Sequence, residues 1–448
     1  MSSISNSEQT NATRPDSYTV EKVHLFTNLN GDDQFVDLTF VSQNIIITEG
    51  ISTMGISLDV TILDAAGILE GYKVMGNEKV LVQISRHDVA SKTKNEYILN
   101  LRIANIGNYS RLKDSLQTFT LTCVSDYVYN NNLQTITNHF EGSIGGSIKK
   151  LCGQLKINKD NLQINEETNI AFGVYPRLKP LSAIKWLLLN ATDAQTPFFF
   201  YQRIADNKIV LESYKDMVDK EVFDTYRYAP FFSEDIDTKE FEKRYEEERK
   251  KITTVSSDLN ISQLRSVADG AYGSTLHTID IATKKYSKDV DYSYTRNEKL
   301  NPNDSISDNM KLMDKPMKDH KEGKNFFVSQ NSLAFDDGKN KPNYSGAITK
   351  GYLNAHSYLK NLNTITLDIT IAGDFTLKLG DKINVDINRA GSDSKEIPID
   401  VYLSGKYIIT NIVHQFGKKY EMKLTIQKDS FIESIDKIIE IDRSTEKS

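Results

Sequence analysis

One strand pattern is written twice in this chain of 448 residues, in the same order both times. SLDVTI at 57–62 returns as TLDITI at 366–371, and GNEKVLVQISR at 76–86 returns, one residue shorter, as GDKINVDINR at 380–389. A third piece, YEMKLTIQKDS at 420–430, repeats the pattern of FTLTCVSDYV at 119–128. Taken singly, T-x-D-x-T is a generic strand face, and any one match could be convergence. Three pieces recurring in order argue instead that a whole β unit has been duplicated.

Each copy reads as a sheet with one dry and one wet face. Residues 35–128 hold short apolar bursts such as FVDLTF, NIIIT, KVLVQIS and FTLTCVSD, broken by Gly, Asn and Asp, as in an antiparallel sheet or barrel. In FTLTCVSD, Phe119, Leu121 and Cys123 share one side and Thr120, Thr122 and Val124 the other, a period of two. In the second copy, Phe375, Leu377, Leu379, Ile383, Val385 and Ile387 share a side, with a turn expected at Gly380-Asp381. Thr376, Lys378, Asn384 and Asp386 take the wet side, as in a barrel wall.

Between the copies the period changes. Ile144, Ile148, Leu151 and Leu155 fall on one helical stripe, and Pro180 starts a second carrying Leu181, Ile184, Leu188 and Ala191. FFFYQRIADNKIVLES follows, with a hairpin turn expected at Asp206-Asn207. Helix, helix and hairpin make a small α+β domain over 129–215, with Trp186 a packing residue of its helix. The stretch 233–252 reads as a solvated helix with a thin seam of Phe241, Tyr245 and Ile252 and a Glu246–Lys250 pair. Residues 296–349 are polar and rich in breakers, reading as an insert or as an arm that orders against a partner.

Several function classes lose support. A net charge of −6 argues against a nucleic-acid or anionic-membrane surface, which needs clustered positive charge. The first 19 residues lack the apolar run of a signal peptide, and WLLL and NIII are far too short to span a bilayer. Cys123 reads as a core residue and Cys152 lies on a helical pattern 29 positions away; two isolated cysteines give neither a disulfide framework nor a zinc site. His24, His87, His139, His277, His320, His356 and His414 are scattered without metal-ligand spacing. There is no G-x-S-x-G elbow and no Walker loop; GSIGGS at 142–147 lacks the following G-K-[ST] and reads as a helix start. Cofactors: none is expected. With 61 acidic residues a glycosidase pair is not excluded, but no stretch singles one out.

A duplicated barrel has a geometric consequence. Three chains around one axis would present six nearly equivalent barrels, matching a sixfold object on one side and a threefold object on the other. The chain also resembles the baseplate hub proteins of contractile-tailed bacteriophages, the T-even type, and the related front portion of type VI secretion spike proteins. The resemblance rests on GISLDVTILDAAGILEGYKVMGNEKVLVQIS at 55–85 (with Asp64, Leu69, Gly71, Gly76 and Glu78), on PLSAIKWLLLNATDAQTPFFFYQRIADNKIVLES at 180–213, on SVADGAYGSTLHTIDIATKKYSKDVDYSY at 266–294, and on the β unit at 350–430. Together these cover most of residues 20–430.

The resemblance implies a β-rich α+β multidomain chain with two similar antiparallel tail-tube-like β-barrels, the second discontinuous. The expected boundaries are a flexible N-terminus at 1–19, a first barrel at 20–128, the α+β domain at 129–215 and a charged helical connection at 216–259. The second barrel is expected from 260–295 and 350–430 across the 296–349 insert, and a C-terminal helix and tail at 431–448. The function implied is structural: a homotrimeric hub of the virion's tail baseplate, assembled in the host cytoplasm. It would join the hexameric tail tube to the trimeric central spike, touch baseplate wedge proteins, and let DNA pass without specific binding or any membrane contact. With no long β-helix after 430, the spike is expected on another chain. Phe431, Ile435 and Ile438 form one stripe of FIESIDKIIEIDR and are the candidate interface residues. The competing reading is a tail-associated cell-wall or polysaccharide hydrolase.

Overall fold

The computed structural model describes residues 15–27, 34–87, 94–168, 170–189, 191–193, 196–228, 241–259, 263–281, 284–293, 299–301, 303–304, 311–330, 347–389 and 399–432. The first β unit comprises β1 (Thr19–Thr27), β2 (Gln34–Asp37), β3 (Ser42–Gly50), β4 (Ser57–Asp64), β5 (Lys79–His87), β6 (Lys94–Lys113) and β7 (Leu116–Ser125), with a short α1 (Ile68–Gly71). The six principal strands run β1-β5-β6-β7-β4-β3, and β2 flanks β1.

A small α+β domain follows, built from α2 (Asp126–Asn131), β8 (His139–Ser143), α3 (Ile144–Gln154), β9 (Leu162–Ile164), β10 (Ile170–Val174), α4 (Pro180–Leu188), β11 (Thr192–Asp193), β12 (Thr196–Gln202), β13 (Ile209–Ser213) and α5 (Tyr214–Asp219). Its local signals work as read. The Ser143 hydroxyl accepts the Gly146 N–H, capping α3 over GSIGGS, and Pro180 opens α4. Asn207 holds a left-handed φ of 51° in the β12–β13 turn, and Trp186 packs edge-on to Phe140. Ile144, Ile148, Leu151, Ile184 and Leu211 belong to a core separate from that of the barrels.

The second barrel is closed. Its strands are β14 (Val222–Tyr228) and β15 (Lys251–Leu259), then β22 (Ile365–Ala372), β23 (Lys382–Ile387), β24 (Gly405–Phe416) and β25 (Tyr420–Lys428), in the ring order β14-β23-β24-β25-β22-β15. This is the order of the first unit, position for position, and the registers repeat too. Lys79 opposite Arg102 and Val80 opposite Leu101 recur as Lys382 opposite Ile408 and Ile383 opposite Tyr407. The bulge between Ile103 and Asn105 recurs between Ile409 and Asn411, and that between Ser42 and Asn44 recurs between Ile252 and Thr254. Gly76 and Gly380, aligned by the sequence repeat, both hold a positive φ, 93° and 81°. One strand departs from the repeat: β1 is antiparallel to β5, whereas β14 is parallel to β23.

The second barrel's strands differ from those the sequence suggested. Residues 216–259 supply β14 and β15, and among the described residues there the helical parts are the end of α5 and α6 (Phe241–Arg249). Ile252 is therefore a barrel-core residue at 0% exposure, not part of a helix seam. Lys250 pairs with Asp224, and Glu246 with Arg249. The stretch 260–295, expected in the barrel, forms α7 (Gln263–Asp269), β16 (Gly273–Asp280) and β17 (Lys285–Ser293) outside it. β16 and β17 make a three-stranded sheet with β21 (Asn325–Gln330), beside α8 (Ala347–Leu362). The physical reason is occupancy: beside β22 and β23 the barrel positions are already filled by β15 and β14.

The described part of the 296–349 insert includes β18 (Asn303–Asp304), β19 (Lys311–Leu312) and β20 (Lys315–Pro316) as well as β21. It is pinned to this chain: the Asn301 amide donates to Ser430 Oγ at 2.9 Å and its side chain donates to the Lys406 carbonyl at 3.1 Å. β26 (Ser430–Phe431) pairs with β18.

Candidate assembly surface: one sheet across two barrels

The two barrels share a sheet. β3 of the first pairs antiparallel with β24 of the second, from Gly50 opposite Asn411 to Ile45 opposite Phe416. The strands β6-β7-β4-β3-β24-β25-β22-β15 are consequently continuous. One face of this sheet fills both cores, through Ile47, Leu58, Leu121, Ile412, Leu367 and Ile426 at 0% exposure, all in one apolar cluster. The other face is polar and carries Asp59, Thr61, Thr122, Gln415, Glu421, Lys423, Asp368 and Thr425. On it, Thr122 Oγ1 donates to Asp59 at 2.6 Å, and the repeat-related Thr425 Oγ1 donates to Asp368 at 2.7 Å. The repeated [ST]-x-D-x-T segment thus has one structural use in both copies, a cross-strand hydroxyl–carboxylate pair at its Asp.

Beneath the join lies a buried polar network. Glu49 accepts the Ile204 N–H at 2.7 Å through Oε2, which ties the α+β domain to the seam. Its Oε1 faces His414 Nε2 at 3.3 Å, and His414 Nδ1 meets the Tyr420 hydroxyl at 2.8 Å. Tyr97 donates to the Asp374 carbonyl at 3.2 Å and stacks on Phe375. Arg86, from the first barrel, donates to the Gly373 carbonyl at 2.6 Å and to the Tyr245 hydroxyl at 3.0 Å. Gly373 is required there, because a Cβ would fall 1.9 Å from Tyr420 Cδ1. Buried groups that saturate one another across a joint fix its geometry, because any shift strands a donor or acceptor in apolar surroundings.

Two further charges, one half-buried and one buried, lock the second barrel. Arg249, at the end of α6, reaches Asp374 at 2.5 Å and Asp224 at 2.7 Å. Burial works to raise the Asp374 pKa, but the Thr376 hydroxyl and Arg249 outweigh it and hold the carboxyl below its usual range. Lys428 is fully buried, donates to the Ser404 carbonyl at 2.6 Å and lies over the Tyr407 and Phe431 rings. Burial pushes its ammonium down to about 7.

Of the candidate interface residues, Phe431 is 2% exposed within this chain, packed against Tyr402 and Lys428. Ile435 and Ile438 lie outside the described residues. Sequence reading missed Glu49, Arg86, Arg249 and His414; each is a single polar residue whose partner is far away in the chain, so no local spacing marks it. Among the described residues no group of three His, Cys, Asp or Glu side chains could hold a metal ion, and no helix is long and apolar enough to cross a membrane. Asp381, whose pKa is raised by burial, is a turn residue beside Lys220 and Lys378. The arrangement supplies fixed strand edges and one broad polar face.

No family model and no curated protein sequence matches the chain. Among solved structures it is similar to the tail protein from Neisseria meningitidis MC58, at a TM-score of 0.51 and 12% identity over 92% of this chain and 97% of that one. It is also similar to the 43 kDa tail protein of prophage MuSo2 from Shewanella oneidensis (TM-score 0.49, 9% identity, 92% and 98% covered). An E. coli component of the type VI secretion system scores 0.43 at 10% identity, over 92% of this chain and 76% of that one. The likeness to the Neisseria protein is one of fold: this chain folds as a phage tail protein does.

Proposed function

We propose that this chain is a structural component of a bacteriophage tail or a related contractile injection machine, acting as a ring-forming hub. The observation that carries the reading is the shared sheet. Two barrels with the same strand order, and the same registers in all but one strand, are joined along one sheet, so that their polar faces form one surface. In the reading, three copies continue that surface around an axis as six barrels, with threefold symmetry for a central spike protein and pseudo-sixfold symmetry for a tail tube protein. Baseplate wedge proteins would meet the outside of the ring.

The polar face then lines the channel. Asp59, Asp258, Asp368 and Glu421 lie on it beside Arg102 and Lys423. Phosphate repulsion from such a wall keeps DNA residence short, whereas clustered Lys and Arg would hold the DNA back. The seam network is the device that keeps the two barrels at a fixed angle, as ring closure demands. Electron microscopy of the purified chain, alone and with a candidate spike protein, tests the reading: rings with a central hole support it, and isolated single chains in both samples count against it.

A further inference from the structure

The junction inside one chain is a template for a junction between chains. β24 pairs with β23 over Gly405–Ile408 and, beyond the bulge at Ile409–Asn411, with β3 on that same side. β6 is built alike: it pairs with β5 over Lys94–Arg102, carries the matching bulge at Ile103–Asn105, and runs on to Lys113. Beyond Ile103, whose N–H donates to the Glu78 carbonyl, β6 has no strand opposite β7's side among the described residues. β15 is the counterpart of β3, with the matching bulge. Where β3 uses its free edge on β24, β15 meets β14, among the described residues, at Lys251 and Ile252 alone. Thr253, Thr254, Ser256, Ser257 and Asp258 beyond that contact are exposed.

Each chain therefore shows one filled junction and, at the two ends of its continuous sheet, the separate halves of another. We infer that β15 of one copy pairs antiparallel with the β6 extension of a second copy, repeating the β3–β24 junction. This rests on the ring reading and specifies its contact. The register transfers directly: Ile412 opposite Glu49 and Val413 opposite Thr48 become Ile106 opposite Leu259 and Gly107 opposite Asp258. After Gly107 the β6 bulge, where Asn108 has a φ of 52°, bends the strand and ends the transferable register. Such a head-to-tail contact either closes a ring or grows a filament, and joining the two edges removes both as sites of uncontrolled strand addition.

The test is oxidative cross-linking of the full chain carrying Gly107→Cys together with Asp258→Cys, with solution mass measured on the same samples. The template pair Val413–Thr48 is of the non-hydrogen-bonded kind, two residues on from Asn411–Gly50, which the Ile51 N–H to Thr410 carbonyl bond flanks. Such pairs bring Cβ atoms to about 4.5 Å, within disulfide reach. Pairing Ile106→Cys with Asp258→Cys puts the thiols on opposite faces, and the native Cys123 and Cys152 are buried. The expected result is a ladder of covalent multimers from the first pair and single chains from the second. An oligomer by mass whose first pair does not cross-link overturns the strand pairing and leaves the ring reading standing. A single-chain mass with no cross-link overturns both. Hydrogen exchange on the unsubstituted chain guards against a misfolded variant: amides of 254–258 should gain protection in the oligomer, and equal exchange in oligomer and monomer overturns the pairing.

Discussion

Glu49 of the first barrel and His414 of the second face each other at 3.3 Å, each with 1% of its side chain exposed. Glu49 also holds the Ile204 N–H, so one carboxylate ties together both barrels and the α+β domain. Glu49→Ala strands both donors in the seam and should cost about 3 kcal/mol in urea unfolding. Glu49→Gln, which retains an acceptor and the shape, should cost clearly less. Equal costs would mean that the carboxylate is not the tie.

Gly373 meets the buried ring of Tyr420 so closely that a methyl group there has no room. Gly373→Ala should destabilise the chain by roughly 3 kcal/mol or more, since the core must be displaced to admit it. Gly71, with nothing near its Cβ direction, is the control, and Gly71→Ala should shift the thermal midpoint little.

Asp374 carries an acid-sensitivity prediction. Its folded pKa lies below the ordinary carboxylate value near 3.9, so its stabilisation is fully present above that value and is lost as pH falls through the folded pKa. Arg249→Met removes the guanidinium partner. The variant should lose about 3 kcal/mol at pH 7 and begin to unfold at a higher pH than the parent, read by circular dichroism on acid titration.

Lys428 works in the opposite range. Its folded pKa near 7 is below the ordinary lysine value of about 10.4, so between them the unfolded chain binds a proton that the folded chain does not. Stability from this group therefore rises with pH across that window, by roughly 2 kcal/mol from pH 7 to 8.5. In Lys428→Met that rise should disappear, so that the parent gains stability relative to the variant by that amount as pH increases. A difference that stays constant would show that Lys428 does not titrate.

The duplication was readable because buried strands carry a period-two pattern, and the Thr–Asp pairs on the wet face repeat with it. The β14 and β15 strands were not readable for a physical reason. In KITTVSSDL, Ile252 is the one buried residue among 251–258, and a strand with polar residues on most of its length has no alternation to show. The stretch GSTLHTID has the opposite character: it alternates well enough to resemble a barrel strand, yet its apolar Leu276 packs with Leu353 of α8. Alternation reports that one face is covered, not what covers it. The seam residues are further still from sequence, since Arg86 and Gly373 meet only after both barrels have folded.

The most direct measurement of the central claim is the solution mass of the chain by light scattering across a concentration series. The ring account gives a stable species of three times the 50.8 kDa chain mass. A single-chain mass at every concentration, unchanged by a spike partner, would contradict it.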